Sequence, residues 1–495
     1  MASKTETRAA SGPVPLPALA RALVAGSLPG ELEGFSPADR SSAAAFVLQA
    51  LSARRPGQPS IAVDTLADSG GRRHMRLAVV NDDMPFLVDS VAAVVSAHGL
   101  VIDRLLHPVL PVARDAKGAL VSIGGEGARE SVIYIETDRA DARSRSEIRT
   151  MIGQALSDVR QAVADWAELR ATMTGDADGL DGEDSALLGW LADNNFTLLG
   201  AARFDAAGAF TDGIGIARSK GEDLLSVAAR KKALAVFRAG GASLIVVKSN
   251  LASTVHRRVP LDLLIVARRT GRKVSGLTNH AGLWTSAALG RSATDIPLLR
   301  ARLAALQAKY RFDPQGHAGK ALAQALSTLP HDVAISIAEA DLERLALAAM
   351  SIADRPRPKL ELVSAPLDRH VFAFVWLPRD ELTTARRVAI AQMLADAAGG
   401  HLLSWAIELG DGDVAMIRYT IDVRGGALPD AAPLNDRIES MVRGWQPAVE
   451  AGLARLFDSG QAARMALRYA GAFPAGYRSG AGPDEPARAL LSKRR

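Results

Sequence analysis

The sequence predicts an α+β protein made of tandem units with antiparallel sheets and helical connecting segments, and three observations carry that prediction. Strand and helix patterns follow one another in a βαββα order from His74 onward, and a similar order returns from Pro358. The hydrophobic content of 48% over 495 residues is ample for about three packed cores. A βαββα order implies an antiparallel sheet with helices on one face, a ferredoxin-like sandwich.

Taken in order, residues 1–70 are Ala-rich and helical in pattern, broken at Pro29 and by PGQPS at 56–60, and their end predicts a boundary. A first βαββα unit is expected over 71–173. It holds HMRLAVV as strand, PFLVDSVAAVVSAH as helix, LVIDRLLHPVLPVARD and SVIYIETD as strands, and a long helix from about Arg143 to Thr172. The acidic stretch TGDADGLDGEDS (174–185), loosened by three glycines, reads as a linker. A second α+β unit is expected over 186–296, with a helix through Leu187, Leu188 and Leu191, a strand FTLLGAARF, a turn DAAGAF, and adjacent strands SLIVVKSN and VPLDLLIVARR. A helical connector follows over 297–357, with Asp295 as cap and Pro297 in its first turn. The third unit, 358–458, holds two strands around APLDRH, a helix closed by Gly399, a hairpin around GDGD and a helix from about Leu434 to Phe457. Residues 459–495 read as a Gly/Pro-rich tail.

Composition removes several functional classes. With Cys 0, disulfides, thiolate nucleophiles and Cys-ligated metal sites are excluded. The net charge of +5 is small, and the basic residues are scattered in pairs such as Lys231–Lys232 and Arg257–Arg258. A nucleic-acid partner would need a clustered patch, so none is expected, and 5% aromatics argues against base stacking. The opening MASKTETRAASG lacks an apolar core, and no run approaches the roughly 18 apolar residues of a membrane span. A soluble, cytoplasmic protein without a membrane partner is the expectation.

The most pointed candidate for function is the strand-to-helix turn Asn81, Asp82, Asp83, Met84, Pro85 and Phe86 in LAVVNDDMPFLVDSV. Such a turn serves as a helix cap, with Asp82 or Asp83 capping and Leu87, Val91, Val94 and Val95 forming one apolar stripe. It is also a place where an effector binds. The carboxylates Asp82, Asp83 and Asp89 near His74 and His98 do not converge as a hard-metal site requires, so no metal is assigned. Ser253, Thr254 and His256 suggest nucleophilic catalysis, but no glycine-rich elbow surrounds either hydroxyl. Gly124, Gly125 and Gly127 do not form a dinucleotide fingerprint, since they precede a strand and open no helix. No catalytic or cofactor-binding residue is assigned.

The segments VVNDDMPFLVDSV, ESVIYIETDR, LLGWLADNNFTLLGAARF, LIVVKSNLASTVHR, GLWTSAALGRSATDIPLLR, ALSTLPHDVAISI, FVWLPRDELTTARR and FPAGYR occur in that order between His74 and Arg478. Together they resemble the N-terminal region of the large bacterial NAD-specific glutamate dehydrogenases. The resemblance implies three tandem ACT-like βαββα domains, the units at 71–173, 186–296 and 358–458, with helical connectors, and a full-length reaction converting L-glutamate, NAD and water to 2-oxoglutarate, ammonia and NADH. It implies that NAD serves the full-length enzyme and that no cofactor is held by this chain, which is expected to be inactive alone. The implied role is regulatory and assembly. Its partners would be a catalytic region or subunit, further copies of the chain in a homo-oligomer, and an amino-acid effector. The alternative is an amino-acid or nucleotide effector-binding module acting on a separate catalytic chain. The usual ACT turn resembles D-x-P-G-x-L, with glycine admitting a ligand to the backbone. Here Phe86 follows Pro85, which implies a turn that packs against another domain or subunit.

Overall fold

The computed structural model describes residues 16–67, 73–410, 412–423, 426–442 and 445–473. The opening MASKTETRAASG and the Gly/Pro-rich stretch from 474 onward lie outside the described residues.

The first unit begins earlier than expected. Helices α1 (Leu16–Val24) and α2 (Pro37–Ser52) lead into β1 (Ser60–Ala67), β2 (Arg73–Asp82), α3 (Leu87–Ala97), β3 (Ile102–Leu106), β4 (Val109–Arg114), β5 (Leu120–Ile123), β6 (Ala128–Thr137) and α4 (Ala142–Ala164). The sheet order is β1-β2-β6-β4-β5, with β3 also pairing with β6. Residues 60–67, expected within a helical segment, pair antiparallel with β2 from Ser60↔Val80 to Ala67↔Arg73. Two-residue alternation explains the correction: Ile61 and Val63 face one core and Ala62 the opposite one. The single strand expected over 100–115 is divided at His107–Pro108 into β3 and β4, which lie one after the other along β6. Pro108 supplies no N–H for an unbroken ladder.

The acidic stretch expected as a linker is helical. Apart from the short turn at Gly179–Asp181, it falls within α5 (Trp166–Asp178) and α6 (Gly182–Trp190). Leu169, Met173 and Ala177 recur every four residues and are buried. Its acids have partners as well: Asp176 binds His280 at 2.7 Å and Glu183 binds Arg300 at 3.0 Å.

The middle unit continues with β7 (Phe196–Asp205), β8 (Phe210–Gly215), α7 (Ala217–Leu224), α8 (Val227–Arg238), β9 (Leu244–Ala252), β10 (Pro260–Thr270) and β11 (Lys273–Trp284). Its antiparallel sheet runs β8-β7-β11-β10-β9, so two strands, two helices and three strands replace a βαββα order. The central strand β11 carries Thr278, Asn279 and His280 buried, a polar trio that obscures it in the sequence.

Helices α9 (Ser286–Leu289), α10 (Leu299–Tyr310), α11 (His317–Thr328), α12 (His331–Ser336) and α13 (Glu339–Asp354) form the connector. Asp295 does not cap α10. That helix starts after Leu298, whose φ is 68°, and Glu183 of α6 accepts the Leu298 N–H at 2.7 Å. The third unit comprises β12 (Lys359–Ser364), β13 (His370–Pro378), α14 (Thr384–Ala397), β14 (His401–Leu409), β15 (Val414–Asp422) and α15 (Ala431–Val442), with sheet order β12-β13-β15-β14. Within the helix expected over 434–457, α15 and α16 (Trp445–Ala454) lie on either side of residues 443–444, which are outside the described residues, and the expected tail opens with α17 (Ser459–Tyr469), which packs on α16 through Val449, Leu453, Ala462 and Ala466.

The cores join these units. One face of the middle sheet (Leu199, Phe204, Leu263, Ile265) shares a core with α3, α4 and the first sheet. The opposite face (Leu198, Val246, Leu264, Val266) shares another with the connector and with Phe372, Phe374 and Trp376 of the third sheet. Close strand–strand approach within the middle sheet rests on glycine: Gly215 has φ 60°, and a Cβ there would stand 2.2 Å from the Leu199 carbonyl oxygen. Gly215→Ala is therefore expected to cost at least about 2 kcal/mol in urea denaturation. An unchanged midpoint would contradict the β7–β8 register.

Candidate functional site

The turn at 81–86 is built on ion pairs that begin in the strand. Buried Glu130, on β6, accepts from Arg54 at 2.7 Å and from Arg114 at 2.7 Å through both carboxylate oxygens. Asp82, at the end of β2, accepts from Arg54 at 2.7 Å, from Arg160 of α4 at 2.7 Å and from the Gly57 N–H at 3.2 Å. Asn81 Oδ1 accepts from Arg160 at 2.8 Å, while its amide nitrogen donates to the Asp82 carbonyl at 3.0 Å. Burial works to raise both carboxyls, and the guanidinia prevail: Arg54 and Arg160 hold Asp82 below its ordinary value, and Arg114 and Arg54 do the same for Glu130.

These contacts correct the expected cap. Asp82 is committed to the strand end, and Asp83 pairs with Arg129 through backbone (3.2 Å) and side chain (3.3 Å). The residue preceding α3 is Phe86, in the left-handed region at φ 69°, with no side-chain cap. Ser90 Oγ donates to the Phe86 carbonyl at 2.6 Å. Pro85 is exposed, Met84 and Phe86 pack on the core shared with the middle unit, and the Phe86 ring stands 5.7 Å from that of His256. The stripe Leu87, Val91, Val94 and Val95 is buried.

His256 belongs to this joint and not to a serine dyad. It too has positive φ, 64°; its Nδ1 lies 2.8 Å from Asp89, and its backbone N–H donates to Ser90 Oγ at 2.9 Å. Ser253 Oγ instead donates to the Val255 carbonyl at 2.7 Å, and Thr254 donates to Asp158 of α4, which also binds Lys220 of α7. Beside the joint, small residues of α3 with Asp89, His256, Arg257 and Arg258 line an open groove of about 580 Å³, which none of residues 81–86 lines. Gly124, at φ 92°, and Gly125, at φ 73°, lie between β5 and β6 and serve a turn, as their failure to open a helix implied. Among the described residues no group of three or more His, Asp or Glu is placed to hold a metal.

A second polar seam, absent from the sequence reading, joins the middle and third units. Lys248 of β9 pairs with Asp262 at 2.5 Å and with Asp332 of α12, and Asp332 also meets Arg418 of β15 at 3.3 Å. Burial, aided by Asp332, raises Asp262. The two cations outweigh burial at Asp332 and lower it. Two residues along β9, Asn250 accepts from His370 Nε2 at 2.7 Å and donates to Asp422 at 2.5 Å. Burial pushes His370 down to about 4, although Asp422 opposes the shift. The signal that could have revealed this network is a charged residue inside an apolar strand: Lys248 in LIVVKSN, Asp262 in PLDLLIV, Glu130 before SVIYI.

Family models match this chain in four places: the glutamate dehydrogenase ACT1 domain over residues 19–152, helical motif 1 over 296–355, the ACT2 domain over 359–446 and helical motif 2 over 452–486. The chain is similar to the NAD-specific glutamate dehydrogenase family. It carries the family's ACT and helical-motif domains, and the ACT1 match takes in α1, α2 and β1. The NAD-specific glutamate dehydrogenase of Pseudomonas aeruginosa is 28% identical over 82% of this chain and 27% of its own length. The Halomonas elongata enzyme of that name is 26% identical over 82% of the chain and 27% of itself, and the Mycobacterium tuberculosis one 25% identical over 87% and 28%. The chain thus spans little more than a quarter of the length of the glutamate dehydrogenases it matches.

Two outcomes are expected. Glu130→Gln leaves two buried guanidinia facing a neutral amide, which should cost about 3–5 kcal/mol in urea denaturation; a cost under about 1 kcal/mol would mean the arginines find other partners. His370 has a folded pKa below its unfolded value of 6.5, so its contribution to stability is complete above that pH and is lost as pH falls toward about 4. The melting temperature of His370→Gln should therefore vary less between pH 6.5 and 4 than that of the native chain, and equal slopes would remove His370 from the seam.

Proposed function

We propose that this chain regulates and assembles an NAD-specific glutamate dehydrogenase of the cytoplasm, with hydride transfer to NAD performed by a catalytic region or subunit to which it docks. The domain assignment that accompanies this reading has three α+β units, the outer two ACT-like, separated by the helical connector. The observation that carries it is the way both outer units are fastened to the middle one. Asp158 of α4 reaches Lys220 and Thr254, Asp89 reaches His256, and Arg418 of the third unit is joined to Lys248 through Asp332 of the connector, which binds both. A displacement at either end is thereby transmitted through directional contacts to the sheet between them. The matched ACT and helical-motif models support the same reading, as does the engagement of Asn81, Asp82 and Asp83 with protein partners. Among the described residues no helix is long and apolar enough to cross a membrane.

In this reading Asn81–Phe86 is a docking joint, homo-oligomers form through the exposed parts of the units, and an amino-acid effector acts by biasing their relative arrangement. The purified chain should form a defined oligomer in analytical ultracentrifugation and produce no NADH from glutamate and NAD. Phe86→Ser removes the ring against His256 and should lower the melting temperature or loosen the oligomer. If stability and association are both unchanged, Phe86 is not a joint; glutamate-dependent NADH formation by the chain alone would refute the division of labour.

A further inference from the structure

The third sheet has two edges, and the fold treats them differently. At β12 side chains answer the outward backbone: the Leu360 N–H donates to Asn435 of α15 at 2.8 Å, and Arg344 of α13 donates to the Leu362 carbonyl at 2.7 Å. At β14 nothing comparable occurs. Among the described residues β15 is the one strand paired with β14, and no loop backbone hydrogen-bonds to Leu402–Leu409. An edge with free N–H and C=O groups is a template for another strand, and folds commonly blunt it with lysine, proline or a bulge. The strand HLLSWAIEL has neither lysine nor proline, and its bulge between Leu402 and Ser404 leaves 404–409 regular.

The side chains along this edge are the second observation. Trp405 is 46% exposed and Leu409 63%, both large apolar groups open to water. They alternate onto the same side as Ile407, which packs against the third core. That is the side of α14, whose Arg387 guanidinium stands 3.9 Å from the centroid of the Trp405 ring. Ser404, Ala406 and Glu408 lie on the opposite side, and Ala406 is paired there with Arg418 of β15.

We propose that β14 pairs antiparallel with β14 of a second copy of this chain across a two-fold axis, joining two four-stranded sheets into one continuous sheet. The occupant is a second copy because the strand is complementary to itself, as an isologous contact requires. With the axis beside Ala406, Trp405 stands opposite Ile407 of the second copy, an aromatic against a β-branched side chain on the α14 side. On the other side the Ser404 hydroxyl stands opposite the Glu408 carboxylate, to which it can donate, and the small Ala406 meets itself. These pairs fall clear of the bulge. An axis beside Trp405 would draw in Leu403 from the bulge, and one beside Ile407 would set Glu408 against a methyl group. The inference rests on the reading that this chain assembles with further copies, and it names where they meet.

The chain has Cys 0, so a single introduced cysteine reports the axis. Residues directly opposite in an antiparallel pair have Cα atoms about 4.5–5.5 Å apart, within the span that a disulfide bridges. Under mild oxidation Ala406→Cys should convert most of the full chain to a covalent dimer on a denaturing gel. Leu467→Cys, at a 73% exposed position of α17, should not. In analytical ultracentrifugation Trp405→Lys should weaken self-association by at least about tenfold. Leu409→Lys, at the more exposed position, reads the same edge if the tryptophan variant does not fold. Absence of the Ala406→Cys cross-link, or a Leu409→Lys chain that associates as tightly as the native one, overturns the proposal. An oligomer that persists without the cross-link removes this contact and leaves the assembly reading intact, whereas a native chain that sediments as a monomer removes both.

Discussion

The middle sheet is apolar on both faces, and the arrangement of the whole chain depends on that constraint. An antiparallel sheet commonly leaves one face to water. Here β10 runs from Leu261 to Val266 with every residue buried, so neither face is free to do so. Each face must be covered by something large enough to exclude water. The middle unit's own α7 and α8 together with α3 and α4 of the first unit cover one side, and the connector with the third sheet covers the other. The outer sheets obey the same logic. The first is enclosed between α1–α2 and α3–α4, and in β13 every residue from His370 to Leu377 is buried.

Hydrophobic burial supplies strength without direction, and the polar contacts supply the direction. Lys248 and Asn250 extend the apolar row of Leu244 and Val246 along one side of β9, so the same strand face that buries carbon at one end holds ion pairs and an amide at the other. Backbone strain collects at these junctions. Phe86 and His256 touch each other with positive φ, Leu298 leans on Glu183, and Leu367 and Asp368 lie against Lys232 of α8. Each such residue costs about 1–2 kcal/mol in the left-handed region, which the surrounding packing sustains. A side chain at these positions reaches across to the neighbouring unit, which glycine could not do.

Much of this was legible in the sequence, for reasons that particular residues make plain. Leu87, Val91, Val94 and Val95 declared α3 by spacing alone, and Gly399 marked the end of α14 with φ 59°. The collinear motifs exposed the family. What escaped was anything whose partners lie far along the chain. Asp82 sits where a cap belongs, yet Arg54 and Arg160, 28 and 78 positions away, claim it. The acids of 174–185 looked solvated because His280 and Arg300 are about a hundred residues distant. Strand β11 was hidden by Gly, Thr, Asn and His, residues that only a completed sheet can bury. The order of the middle unit was equally hidden, because pairing between β7 and β11 joins residues 71 to 88 positions apart and leaves no local trace.

Alternation along β10 has one more consequence. Leu263 and Leu264 are covalent neighbours, yet their side chains belong to different cores, one continuous with the N-terminal sheet and the other with the C-terminal sheet. The strand is thus addressed by parity: odd positions from 261 to 265 sense the front of the molecule, and the even positions 264 and 266 sense the back. Isotope labels on the methyl groups of adjacent leucines would act as two separate antennae less than 4 Å apart along the backbone, each tuned to an event at the opposite end of the chain.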